Sequence, residues 1–350
     1  MSGRDGTPVL AVEDLAVTIG TRRGVARPVA GVDWSVGAGE TLALVGESGS
    51  GKSMSVLAAT GLAPRVARVT GRVRLLGDEF TALPARRRRQ LRGRHVGFVF
   101  QDPMTSLNPV LPVGRQVTEA CEEHLGMTRR AARSRAVELL DTVGIPSPGQ
   151  RVDAYPHQFS GGMRQRVVIA MALACEPDLL IADEPTTALD VTTQAQILDL
   201  VAGLRERLGT AVVWITHDLG VVAGLADTVA VMYGGRIVEH GPVDAVFGGP
   251  AHPYTRALLA ARPDPAHRSA DLVAIPGAPP SPVDLPAGCA FWARCPVRGD
   301  ARCERELPPL VPVSGGPDPG HHGPDAVPDG SGPGHRVRTF YPEPTDRGRG

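Results

Sequence analysis

Eight consecutive residues, GESGSGKS from Gly46 to Ser53, set glycines at Gly46, Gly49 and Gly51 and close on a lysine and a hydroxyl. Residues without bulky side chains let successive backbone N–H groups face phosphate oxygens, and a helix starting at the end of the run adds its positive dipole end. Glu47, Ser48 and Ser50 fill the variable places, Lys52 can reach the outer phosphates, and the Ser53 hydroxyl can serve Mg²⁺. The plain alternative is a glycine turn that caps a helix. Against it stands a compositional fact: of 37 Lys and Arg side chains, Lys52 is the single lysine. An ammonium is a compact point charge on a slim stem, whereas guanidinium is a wide planar fork, so only lysine fits inside the loop it neutralises.

A second group is carboxylate chemistry. LLIADE, residues 179 to 184, is an apolar run ending in Asp183 and Glu184. The first acid suits a metal shell, and the neighbouring one suits orienting or deprotonating a water for attack on phosphorus. Alone, such a pair is a loop cap. Gln101 after VGFVF and His217 after AVVWIT are single polar residues at apolar run ends, the places where open α/β sheets carry their sites.

These groups need positioning elements. Residues 8 to 45 read as short strands punctuated by glycine, SMSVLAATGL after Lys52 changes to helical spacing, and a helical stretch covers about 114 to 143. Another helix opens at Gly161. Residues 179–183 read as a buried strand, 191–208 as a helix, and AVVWIT, TVAVMY and RIVEHG as further strands, with a glycine pair between the last two. Alternating strands and helices predict a mostly parallel sheet covered by helices. The basic run ARRRRQLRGRH, 85 to 95, reads as a solvated helix face or loop.

Net charge is zero, which implies no global pull toward nucleic acid or membrane. No apolar run is long enough to span a bilayer and the N-terminus lacks a signal-peptide layout, so the expectation is a cytoplasmic chain. Five cysteines in such a context point to thiols or metal ligands rather than disulfides. Beyond about residue 265 the texture turns to proline and glycine, and residues 312–335 read as disordered.

With FSGGMRQR (159–166) and TALD (187–190) added, the chain resembles the nucleotide-binding subunits of ABC transporters. The motifs QDPMTSLNP, DEPTTALDV, THDLGVVA and AHPYTRALL resemble those of the oligopeptide/dipeptide permease ATPases more narrowly. The resemblance implies an α/β ABC-type P-loop cassette over 8–250, with an N-terminal antiparallel β subdomain and a helical signature subdomain. A small irregular extension over 251–345 would follow. It implies ATP and Mg²⁺ as cofactors, the metal held through Ser53, Gln101 and Asp183, and Glu184 and His217 as catalytic groups. Ser160, Gly161, Gly162, Met163 and Gln165 would face the ATP of a second cassette, and Asp190 would tie the two cassettes together. Partners would be that second cassette, either a related heterologous subunit or a homodimer mate, two transmembrane permease subunits and an extracytoplasmic solute-binding protein, with no nucleic acid. The place would be the cytoplasmic face of the cell membrane, as a peripheral subunit. Nickel or another small solute is the alternative cargo. A ribosome- or nucleic-acid-acting cassette and a regulatory cassette without turnover are alternatives of other classes.

Two positions depart from the pattern. Ile19 stands where the family places an adenine-stacking aromatic, so weak discrimination between ATP and GTP is expected. Cys289, Cys295 and Cys303 match three of four cysteines assigned in some members to an iron–sulfur cluster, and Thr339 stands where the fourth is expected. His335 as a substitute ligand, or packed thiols with no cluster, are the two readings. His321 and His322, in low-complexity sequence, are read as unliganded.

Overall fold

The computed structural model describes residues 7–187, 189–261, 274–298, 301–313 and 334–340. The chain divides into two compact units that do not follow chain order, one comprising Met1–Ala11, Ser35–Thr41 and Arg72–Ile215, the other Val12–Trp34, Leu42–Gly71 and Thr216–Gly350.

In the first unit three strands pair in parallel. Leu179–Asp183 lies between Val96–Val99 and Ala211–Thr216, in registers Val96↔Leu179 and Leu179↔Ala211. Leu179–Asp183 and Ala211–Thr216 are buried throughout, which is why both read as unbroken apolar runs rather than alternating ones. Helices Val113–Leu125, Arg129–Thr142, Gly161–Ala172 and Val191–Leu208 belong to the same unit. The helical stretch expected over 114–143 is therefore two helices. Gly126, in the left-handed region at φ 64°, ends the first, and the Thr128 hydroxyl accepts from the Ala131 N–H to start the second. The basic run forms helix Ala85–His95, in which Leu91 alone is buried.

In the second unit Leu10–Thr21 and Gly24–Val36 form a hairpin. Strand Thr41–Val45 runs parallel to Thr228–Tyr233, which pairs antiparallel with Arg236–Pro242. The connection between the last two is Gly234–Gly235, with φ of 54° and 74°. Positive φ at both central residues matches the twist of a tight hairpin and suits glycine. Two further strands add antiparallel to this edge: Arg336–Arg338 pairs with Arg236–Pro242, and Leu310–Pro312 with Arg336–Arg338. The C-terminal region thus contributes ordered strands where an irregular extension was expected. The disordered reading of 312–335 falls largely outside the described residues.

Val45, Val229, Val231 and Tyr233 share one core with Tyr254 and Phe291 from the C-terminal region. Burial at the ordinary value of about 25 cal/mol per Å² makes aromatic residues of this size large contributors to a core. No helix among the described residues is long and apolar enough to cross a membrane.

Candidate nucleotide-binding site

The phosphate loop belongs to the second unit. It follows strand Thr41–Val45 and runs into helix Lys52–Ala59, whose N-cap is Gly51 with no side-chain capping bond. The strand, loop and helix order is the context that the sequence pattern requires. Gly51 has φ 104°, and a Cβ there would collide with the Pro28 carbonyl. That peptide leaves room for no side chain. The loop is tied to the hairpin turn, since the Gly235 N–H donates to the Ser50 carbonyl at 3.0 Å.

Lys52 is 5% exposed. Its Nζ donates to the Gly46 carbonyl at 2.7 Å and the Glu47 carbonyl at 3.0 Å, so the ammonium is folded onto its own loop. The Glu47 carboxylate accepts two hydrogen bonds from the Arg294 guanidinium, at 2.6 and 3.0 Å, and the Glu47 N–H donates to the Tyr254 hydroxyl at 2.8 Å. Arg294 was not singled out from sequence, and Tyr254 only within AHPYTRALL, as part of the triplet His252, Pro253 and Tyr254. The HPY triplet that contains Tyr254 was the only signal pointing there. Ser48 and Gly49 are exposed and Ser53 is half-buried, while Ile19 is half-buried on its strand. His217, also of this unit, is exposed. It stands between Thr216, whose hydroxyl accepts from the Asp218 N–H, and Asp218, whose carboxylate accepts from the Gly220 N–H.

The carboxylate group belongs to the first unit. Asp183 ends its strand 8% exposed, paired with Ile215. Glu184 follows with φ 47°, a left-handed conformation that costs a non-glycine residue on the order of 1 kcal/mol or more. Its N–H donates to the Ile215 carbonyl at 2.9 Å. Its Oε2 accepts from Gln101 Nε2 at 3.1 Å and from the Thr187 hydroxyl at 3.1 Å. The structure therefore brings Gln101 and Glu184 together although 83 positions separate them.

Two other site candidates start helices in this unit. The Ser160 hydroxyl accepts from the Met163 N–H at 3.3 Å and caps Gly161–Ala172. Asp190 caps Val191–Leu208, accepting from the Thr193 N–H at 2.9 Å and the Thr193 hydroxyl at 2.7 Å. Those bonds, the backbone one first, hold its carboxyl below the usual range. The helices meet where Gly162 faces Thr193, and a Cβ on Gly162 would crowd the Thr193 methyl. Met163 is half-buried, whereas Gln165 is 1% exposed with its Nε2 unpaired among the described residues.

Of the two readings of the cysteines, the iron–sulfur cluster does not fit the residues present. Among the described residues no three His, Cys, Asp or Glu side chains are gathered so as to hold a metal. Cys289, Cys295 and Cys303 are all described, and burial pushes the Cys289 and Cys295 thiols up, against the thiolate form that iron needs. His335, the substitute ligand, has its Nε2 2.7 Å from the buried Glu239 carboxylate. None of the five cysteines is in a disulfide.

Comparison with known proteins identifies the family and the fold. The family described as "ABC transporter" matches residues 29–187, and the family described as "Oligopeptide/dipeptide transporter, C-terminal region" matches 238–303. The chain is 50% identical over 311 residues to the oligopeptide transport ATP-binding protein OppD of Bacillus subtilis, covering 88% of this chain and 87% of that one. It is 48% identical over 309 residues to the dipeptide transport ATP-binding protein DppD of Escherichia coli, covering 88% and 94%. Among solved structures, the dimeric ATP-binding cassette MJ0796 bound to ADP and Pi superposes with a TM-score of 0.60 at 28% identity, over 67% of this chain and 98% of that one. The fold is thus the ABC cassette fold, and the chain belongs to the ABC transporter family, in the branch that carries the oligopeptide/dipeptide transporter C-terminal region.

Proposed function

We propose that this chain is the ATP-hydrolysing subunit that powers peptide import through an ABC permease, with residues 8–250 as the cassette and 251–345 as its extension. The observation that carries the hydrolysis reading is Glu184, a carboxylate in a costly backbone conformation, oriented by Gln101 and Thr187 directly after a buried strand. Strain of this kind persists where surrounding structure enforces it for function. Lys52 and the loop amides bind the outer phosphates of ATP. Ser53, Gln101 and Asp183 are the oxygen donors suited to Mg²⁺, which neutralises charge on the β- and γ-phosphate oxygens. Glu184 takes a proton from the attacking water as the new P–O bond forms and ADP leaves with the bridging oxygen. His217 holds the γ-phosphate and the water in line.

Ser160, Gly161, Gly162 and Met163, at a helix start, face the ATP of a second cassette; Gln165, expected to do the same, is buried at 1% exposure and does not present its side chain to a partner. Asp190 joins the pair. The second cassette is a related subunit, with a homodimer as the alternative outcome. Two permease subunits and an extracytoplasmic binding protein complete the assembly at the cytoplasmic face of the membrane. Exposed Phe100, Val110 and Leu111, flanking the segment after Gln101, supply apolar surface for the permease. Peptide is the cargo favoured by the match to the oligopeptide/dipeptide C-terminal region and by the relatives named above.

The test is reconstitution with the permease and binding protein. Peptide is expected to raise ATP turnover. Glu184→Gln is expected to bind ATP, dimerise and lose turnover by on the order of a hundredfold or more. Normal turnover in Glu184→Gln, or stimulation by nickel salts and not by peptides, would overturn the reading.

A further inference from the structure

An acidic residue inside a loop that binds polyphosphate is an electrostatic liability. Glu47 follows the first glycine of the loop, and its carbonyl accepts from the Lys52 ammonium at 3.0 Å. The Glu47 charge is cancelled from the far end of the sequence. Arg294, in the turn Trp292–Arg294 with its side chain 5% exposed, pairs with both Glu47 oxygens through separate nitrogens. Such two-point pairing fixes orientation as well as charge. The same guanidinium donates to the Tyr233 hydroxyl at 3.1 Å and to the carbonyls of Pro276 and Ile275 at 2.9 and 3.1 Å. It is therefore held by the extension independently of Glu47.

The extension also grips the backbone of the same residue. The Glu47 N–H donates to the hydroxyl of Tyr254, a fully buried side chain on helix Pro253–Ala260. The Glu47 carbonyl is one of the two oxygens that receive Lys52. Tyr254 in turn packs against Tyr233 and Phe291, with ring centroids 4.5 and 5.3 Å apart. One residue thus connects the C-terminal region to Lys52, through a main-chain bond on one side and a part-buried ion pair on the other.

We propose that Arg294 and Tyr254 are positioning residues for ATP binding: Arg294 neutralises Glu47, Tyr254 orients its peptide, and the extension thereby sets the affinity of the phosphate loop. This rests on the ATPase reading above. With Arg294 removed, the Glu47 charge faces the incoming phosphates unopposed. Removing that charge as well relieves the repulsion, and a change in KM with kcat and the unfolding midpoint unaltered separates this from a merely structural role for Arg294.

The experiment is titration of the full-length chain with MgATP, together with kcat and KM for its hydrolysis. Arg294→Met is expected to weaken ATP binding by about tenfold, within the usual range of coupling between sites, with the change in KM and not in kcat. The double variant Glu47→Gln/Arg294→Met is expected to recover most of the affinity. Tyr254→Phe, which deletes one oxygen, is expected to raise KM about threefold. If Arg294→Met does not fold, Arg294→Lys, which keeps the charge and loses the two-point pairing, and Tyr254→Phe decide. Wild-type affinity in Arg294→Met, a double variant as weak as the single one, or unchanged KM in Arg294→Lys and Tyr254→Phe overturns the proposal. A wild-type chain that binds no ATP, or binds it regardless of Lys52→Ala, would overturn the ATPase reading instead.

Discussion

Lys52 and Glu184 carry opposite charges and are held in opposite ways. Lys52 is buried, bonded to the carbonyls of its own loop, and set by glycines at positions where a side chain would collide. Glu184 is more open and strained, and it is oriented by two side chains, Gln101 and Thr187, rather than by backbone. Main-chain contacts change only when the fold changes, whereas side-chain clasps open by rotamer moves. Lys52 is thus held against a fixed mould of backbone, and Glu184 by side-chain contacts that can be engaged and released. The helix starts repeat the contrast. Gly51 gives its helix no side-chain cap, while Ser160 and Asp190 cap their own helices.

Substitutions can break this contrast, in descending order of effect. Glu184→Gln should be the most damaging to turnover while sparing binding. Lys52→Arg should weaken MgATP binding and lower turnover by about ten- to a hundredfold, with a thermal unfolding midpoint close to that of wild type. Normal hydrolysis by this variant would refute the fitted-mould account. A third test probes what supports the mould. His252 caps the Tyr254 helix through Nδ1 and is pushed down to about 4 by burial, with nearby Arg256 and Arg338 acting in the same direction and Glu239 opposing. A histidine kept neutral in the fold contributes its stability above the unfolded value of about 6.5 and loses it as pH falls toward 4, by on the order of 1–3 kcal/mol. His252→Asn keeps a capping acceptor and should flatten that loss in urea titrations between pH 7 and 4. The smallest effect concerns Ile19. Dissociation constants for ATP and GTP should lie within about tenfold of each other, and wider discrimination would show that adenine is read elsewhere.

Much of this chemistry was legible because it is local. GESGSGKS, LLIADE and FSGGMRQR each mark a strand end or a helix start within a few residues, and the helix read over 191–208 is Val191–Leu208. Ala67–Leu75 escaped notice as a strand because most of its residues are exposed or half-exposed and Gly71 interrupts it, so the apolar alternation is faint. Glu47 and Arg294 lie 247 positions apart, and no periodicity links residues so distant. For the cysteines the resemblance left a cluster and packed thiols as two readings, and burial of the thiols decides against the cluster.

Leu310–Pro312 is three residues long and ends in a residue with no N–H to donate. As the outermost strand of its sheet among those described, it is a poor template for another chain to extend. The C-terminal region therefore covers the edge that Arg236–Pro242 would otherwise leave open to pairing, and ends the sheet on a strand that offers little to extend.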